Sequence, residues 1–205
     1  MAAPKRPAER DPDRTREAIL AAAEEQFAKC GFDATTMQMI GDAAGLSRST
    51  AAYFFGNKND LYSAVLARVI QRARDAMLDG YQHTGTHASV EEAVEGYVAV
   101  LLDFLARDYA FLRLIQREAL ADASRVAELF GQPVDDALLA FAPAAQRAGI
   151  SPQRLLLDVI SLCWYPFAHE HTLLPALGMT PRDPEFLDAH KRHIVQLVTA
   201  RVRGG

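Results

Sequence analysis

Several features are scarce or missing in this chain, and each absence removes a class of function. No apolar run approaches the roughly 20 residues that a membrane-spanning helix needs. The opening segment, MAAPKRPAERDPDR, carries charges and prolines where an export signal has an apolar core, so a cytoplasmic location is expected. Cysteine is rare: Cys30 and Cys163 lie far apart in predicted helices and read as buried free thiols rather than a disulfide. No period-two alternation or β-branched run is long enough to argue for a strand. There is no phosphate-binding glycine loop, dinucleotide fingerprint, nucleophile elbow or HExxH pair, so the expectation is a non-enzyme with no cofactor. Positive charge is not in excess either. The chain has a formal charge of −4 and a pI near 5.9, so its bulk electrostatics do not announce nucleic acid.

What the chain does have is helical patterning from end to end. Half of its 205 residues are hydrophobic, enough for a sizeable core. The richest stretch runs from Thr35 to Lys58, TTMQMIGDAAGLSRSTAAYFFGNK. Met37, Ile40, Ala43 and Ala44 fall at helical spacing and can face inward. Thr35 followed by Gln38 fits a capping box, in which hydroxyl and amide satisfy free backbone N–H groups. Gly45 supplies a tight turn, and Ser47 can cap a second helix that carries Arg48, Ser49, Thr50 and Tyr53. This is a helix-turn-helix pattern, which makes double-stranded DNA the leading partner.

The surrounding residues widen the pattern to the first third of the chain. Ala18-Ile19-Leu20-Ala21-Ala22-Ala23 with Phe27 and Gly31-Phe32 precede Thr35-Thr36-Met37, Ile40, Ala43-Ala44-Gly45-Leu46-Ser47, Thr50, Tyr53, Phe55, Lys58 and Leu61. In this order they resemble the TetR family of one-component transcriptional regulators. The resemblance implies an all-α protein with an N-terminal three-helix helix-turn-helix domain, here residues 1–57. It also implies a C-terminal helical bundle for effector binding and dimerisation, here 58–205. The recognition helix departs from the family at Ala51 and Ala52, where Leu and a phosphate-contacting Tyr are usual, and at Phe54, where His is common.

Charge is distributed more tellingly than its sum suggests. Residues 1–60 hold eight cationic and nine acidic side chains, yet Ala43 to Asn59 contains Arg48 and Lys58 and no acid. One such island binds weakly, and a symmetric homodimer doubles its phosphate contacts. Arg48 can reach guanine O6 and N7 bidentately from the start of a major-groove helix, or serve as a solvated surface arginine. Ser47, Ser49 and Thr50 are short donors for phosphates or base edges, with Ser47 also a cap. Tyr53 can reach a phosphate or pack on the first helix. Lys58 opens the fourth helix, where dipole and free N–H groups favour a phosphate, and Thr35 and Thr36 offer the same geometry at the start of the second helix. Gln38 can reach the groove unless capping occupies it. Lys5, Arg6 and Arg10 form an arm that either enters the minor groove or stays a solvated tail.

Downstream, helices are predicted at about 14–29, from Asn57 to Tyr81, and at 89–107, 109–121, 124–130, 133–148, 152–172 and 184–203. Tyr97, Phe104, Phe111, Phe141, Trp164 and Phe167 place large rings on several of them, forming either a solid core or a cavity for a small-molecule effector. Pro166 inside a helix leaves the Leu162 carbonyl without its usual partner and marks a possible pocket wall. Arg117 pairs with Glu118 or anchors an anionic effector. His169, His171, His190 and His193 have spacings that can bind metal but equally make a cationic surface stripe, and no metal is assigned. Leu155, Leu156 and Val159, with Leu187, Ile194 and Val198 on the last helix, are the expected dimer seam of a four-helix bundle. The function expected is a DNA-binding regulator, a repressor released from a palindromic operator by a small molecule. A ligand-independent DNA-binding protein and an all-α carrier or enzyme are the rival classes.

Overall fold

Helix boundaries in this chain are set by side chains that satisfy the orphan N–H groups of each first turn. In a computed structural model, residues 11–84, 89–121, 124–147 and 149–203 are described, and among them the elements are all helical. The arm cations Lys5, Arg6 and Arg10 lie outside the described residues. Helix α1 (Pro12–Cys30) starts under the Asp11 carboxylate, which accepts the Asp13 N–H at 3.1 Å, with Pro12 at the position where a missing N–H costs least. It stops at Gly31, whose φ of 84° a larger residue would resist. Helices α2 (Met37–Ala43) and α3 (Arg48–Phe55) follow, then α4 (Lys58–Thr84).

The two compact units divide between Leu66 and Ala67, so α4 gives its first residues to one and the rest to the other. The sequence boundary at 57/58 falls nine residues earlier. The reason is packing: Leu61, Tyr62, Val65 and Leu66 are almost wholly buried, and the Tyr62 ring meets Phe27 at 4.8 Å and Phe32 at 4.9 Å. Burying each such side chain stabilises by about 1.5–3 kcal/mol, which ties this part of α4 to α1 and its following turn.

The second unit contains the remainder of α4, α5 (Val90–Arg107), α6 (Tyr109–Leu120), α7 (Ser124–Arg147), α8 (Pro152–Ala168), the short α9 (Leu173–Ala176) and α10 (Pro184–Arg203). Helix α5 packs against both α8 and α10, and α7 lies along α8. Asp108 joins three elements. It ends α5, caps α6 by accepting the Phe111 N–H at 2.8 Å, and takes the Arg72 guanidinium of α4 at 2.8 Å. Helix α7 is a correction to the sequence expectation, which broke it at Gly131-Gln132-Pro133. It runs unbroken through Pro133 and Pro143. A proline inside a helix costs about 3 kcal/mol, and the buried stripe of Val126, Ala137, Phe141 and Ala145 offsets it by packing.

Pro166 behaves as its chemistry dictates. It lacks the N–H that would bond the Leu162 carbonyl, and that carbonyl instead lies 3.0 Å from Nε2 of His190 on α10. One orphaned backbone group thus becomes a cross-link between α8 and α10. His190 also stacks on Phe186 at 5.1 Å. His169 instead meets the Thr172 hydroxyl at 3.2 Å, and His171 sits 3.4 Å from the Glu170 carboxylate. These histidines are engaged separately, and no cluster of three metal-binding side chains forms among the described residues.

Candidate DNA interface and effector cavity

The helix-turn-helix is held by backbone geometry before any side chain points outward. At the end of α2 the Leu46 N–H donates to the Gly41 carbonyl at 2.8 Å and the Gly45 N–H to Asp42 at 3.1 Å, the paired bonds of a Schellman turn. Gly45 sits at φ 66°, which glycine adopts without a Cβ penalty. Gly41 is glycine for a different reason: a Cβ there would meet the backbone of Leu46, Ser47 and Arg48 at 3.0–3.1 Å. Helix α3 then starts under Ser47, whose hydroxyl accepts the Thr50 N–H at 3.1 Å. Oγ of Ser47 also lies 2.8 Å from both the Ser49 and Thr50 hydroxyls, a cluster of short donors at the helix start. Ala51 and Phe55 turn inward and are buried, with the Arg16 guanidinium lying 4.8 Å over the Phe55 ring.

Arg48 and Ser49 are exposed, and Tyr53 is 86 % exposed. Tyr53 therefore does not pack on α1. Its ring rests edge-on against Phe54 at 5.4 Å, leaving the hydroxyl at the surface. Thr36 is exposed and caps α2 by accepting the Met39 N–H at 3.2 Å. Gln38 is exposed and bonds Asp42 at 2.7 Å along the same helix, not the backbone of Thr35, so the expected capping box does not form. Thr35 is fully buried, with its hydroxyl 2.7 Å from the Gly31 carbonyl and 3.2 Å from that of Gln26. It fastens the turn after α1 and presents nothing to a phosphate.

Lys58 also differs from expectation. Its ammonium donates to the Phe32 carbonyl at 3.0 Å and lies 4.2 Å over the Phe32 ring. The start of α4 is closed by Asn57, whose amide oxygen accepts the Asp60 N–H at 3.0 Å while its Nδ2 donates to the Asp60 carboxylate at 2.6 Å. An acid in that first turn opposes a phosphate. We expect Lys58→Met to lower thermal stability by a few degrees while leaving the salt slope of DNA binding unchanged, where loss of a phosphate contact would reduce it by about one for each copy of Lys58. Titrations at two or more salt concentrations check this, and a stability-neutral variant with a collapsed salt slope would restore the phosphate role.

The second unit carries a half-open cavity of about 1190 Å³, above the usual span of ligand sites, about 300–1,000 Å³. Its wall includes Tyr97, Phe111, Arg117 and Trp164, four of the seven residues expected from sequence. Phe104, Phe141 and Phe167 stand behind it. Phe104 packs on Phe111 at 5.0 Å and Phe141 on Tyr97 at 4.9 Å, while Phe167 is buried beneath the Arg182 guanidinium. Phe111 in turn meets Trp164 at 6.0 Å. The polar lining that aromatic counting missed comes from Arg74, Arg113, Gln116, Asp136 and His169. Arg74 and Asp136 are 2.6 Å apart, and the hydrogen bond from Arg74 holds the Asp136 carboxyl below its ordinary pKa. Burial pushes the Cys163 thiol up to about 12, so it stays neutral and packs as a small apolar group.

The expected dimer seam needs a larger correction. Leu155, Leu156, Val159, Ile194 and Val198 are buried inside the protomer and Leu187 is half-buried. A chain spends its most apolar stripe on its own core first. What α8 leaves outward is the thinner stripe Leu157, Ser161 and Tyr165, with Leu197 exposed on α10.

A capped helix-turn-helix followed by a helical unit with an apolar cavity is the architecture of a helix-turn-helix transcriptional regulator. The chain belongs to the TetR family: residues 19–65 match the bacterial regulatory proteins of that family, and residues 91–198 match its tetracyclin repressor-like C-terminal domain. It is similar to the HTH-type transcriptional regulator RutR of Escherichia coli K12, 28 % identical over 200 residues that cover 92 % of this chain and 90 % of that one. It is also similar to the HTH-type transcriptional repressor NicS of Pseudomonas putida, 26 % identical over 188 residues covering 84 % and 85 %. Among solved structures, a TetR-family regulator from Mesorhizobium loti superposes with a TM-score of 0.70 at 20 % identity, covering 95 % of this chain and 98 % of the other. No helix among the described residues is long and apolar enough to cross a membrane.

Proposed function

We propose that the chain is a cytoplasmic, homodimeric repressor that binds a palindromic operator through α3 and leaves it when a small molecule fills the cavity of the second unit. The observation that carries this reading is the exposed start of α3. There Arg48 and Ser49 stand free of the core beside a capped hydroxyl cluster, with Tyr53 one turn on. Ser47, Ser49, Thr50 and Thr36 contact phosphates and Arg48 reads a base edge, with Gln38 at the rim. Two copies meet through the outward faces of α8 and α10, on Leu157, Ser161, Tyr165 and Leu197, of which Ser161 and Leu197 border a groove of about 290 Å³. Twofold symmetry then sets two recognition helices one DNA turn, or a multiple of it, apart. Helix α4 belongs to both units and is the element through which the ligand shifts that spacing. The shift is bounded by the ligand's differential affinity for the two states.

Selection of bound duplexes from a random library, followed by footprinting, tests this. The expected result is a twofold-symmetric site with half-site centres about 10 base pairs, or a multiple, apart. Binding without sequence preference, or a single unpaired half-site, would overturn it.

A further inference from the structure

The wall of the half-open cavity takes its character from apolar side chains on several helices. Ile70 and Met77 come from α4, Leu101 from α5, Phe130 from α7, and Ile160 and Trp164 from α8, around a space of about 1190 Å³. The apolar character continues to the surface. Leu120, Val134 and Leu139 line the cavity and are also exposed, Leu120 by 90 %. Large apolar side chains left in water at a cavity mouth favour a ligand that covers them. The polar groups of the wall, by contrast, are engaged by the protein itself. Arg74 holds Asp136 at 2.6 Å, Gln116 donates to the Ala168 carbonyl at 3.2 Å, and the His169 ring lies 3.2 Å from the Thr172 hydroxyl. Arg117 is engaged within the chain, and the half-buried Arg113 has its guanidinium 5.8 Å from the Tyr109 ring centroid. A charge brought by a ligand would lose its water and compete with these partners. Apolar surface meets no such competition and is stabilised in proportion to its area. Nε of Arg113 is shielded from solvent without a hydrogen-bond partner, and a neutral carbonyl or hydroxyl oxygen is enough to accept from it.

From a wide apolar wall whose polar groups are already engaged, we infer that the effector is a large, uncharged, mostly apolar molecule. Its apolar area, rather than a charge, carries its affinity. The inference rests on the effector reading of the cavity and gives that reading a ligand class. The apolar body lies along α4, α7 and α8 and covers Val134 and Leu139 at the mouth, while one neutral oxygen accepts from Arg113 on α6. A small polar metabolite would leave most of this wall unfilled.

The full chain carries its own reporter, since Trp164 is its single tryptophan and lines the cavity. Tryptophan fluorescence is titrated with hexan-1-ol, octan-1-ol and decan-1-ol, with decanoate, and with the neutral apolar dye Nile red. Kd is expected to fall by about tenfold at each step of two methylenes, and decanoate should bind no more tightly than decan-1-ol. Met77→Gln, which puts an amide of similar size on the wall, should weaken decan-1-ol by about fivefold or more. Arg113→Met should leave the gain per methylene intact. A Kd that stops falling after hexan-1-ol, decanoate bound more tightly than decan-1-ol, or a Met77→Gln variant of native circular dichroism with unchanged affinity overturns the ligand class. If Nile red binds in that case, the effector cavity stands and only the class falls. If no probe binds or moves the fluorescence of protein whose circular dichroism is native, the effector reading falls with it.

Discussion

Arg48→Ala is expected to lower affinity for the selected operator by at least about 30-fold while leaving the helical circular dichroism and dimer mass unchanged. A bidentate arginine–guanine contact discriminates by about 1–3 kcal/mol, and twofold symmetry removes it at both half-sites. The fold should survive the change because Arg48 is exposed and lies outside the packing that holds α2 to α3, which is made by Gly41, the Schellman turn and buried Ala51. Arg48→Lys separates base reading from phosphate binding. A lysine keeps the charge and the salt slope but loses the planar fork, so specificity should fall almost as far as with alanine. If the lysine variant binds the selected operator as tightly as the parent, Arg48 is a phosphate contact. Sequence reading would then have to come from Tyr53, Gln38 and the hydroxyl cluster. Gel shifts against selected and scrambled duplexes at matched ionic strength decide between these outcomes.

The helix-turn-helix was legible in the sequence because its signals are local. Gly45 and Ser47 act within a few residues of themselves, and the structure gives each the role its chemistry implies. What went astray were assignments that depend on a partner distant in sequence. Thr35 and Thr36 are adjacent and chemically identical, yet Thr35 is buried by the carbonyls of Gln26 and Gly31 while Thr36 caps α2. Lys58 reaches back 26 residues to the Phe32 carbonyl, a contact that no periodicity encodes.

The same division holds in the second unit. Pro166 announced an orphaned Leu162 carbonyl, but not that His190 would serve it from another helix. The apolar stripes of α8 and α10 were visible, whereas which stripe is spent inside the protomer is a property of the packed unit. The sequence reading found Tyr97, Phe111, Arg117 and Trp164 on the cavity wall and missed Arg74 and Arg113, because a charged side chain in sequence reads as surface.

Arg182 is the clearest case of a residue that sequence alone left unremarked, and its replacement should have the largest effect on stability. It lies between α9 and α10, donates to the Leu105 and Ala106 carbonyls at the end of α5, and bonds the Glu170 carboxylate at 2.9 Å. Its guanidinium also lies within 6 Å of the ring centroids of Phe167 and Tyr109 (5.7 and 5.8 Å). The Glu170 side chain is only 8 % exposed, so removing its cation strands a charge away from water. Arg182→Met should therefore cost about 2–4 kcal/mol, a fall in Tm of about 4–16 °C for a chain of this size. The double variant Arg182→Met, Glu170→Gln should recover part of that loss, since stranding the carboxylate is separable from uncapping α5. Melting curves for the four proteins of the cycle give the coupling directly. Near-additive losses would mean that the α5 carbonyls, not Glu170, are the partners that matter. Because Tyr109 opens the helix that also carries Phe111, Arg113 and Arg117, loosening Arg182 should widen the cavity as well as weaken the fold.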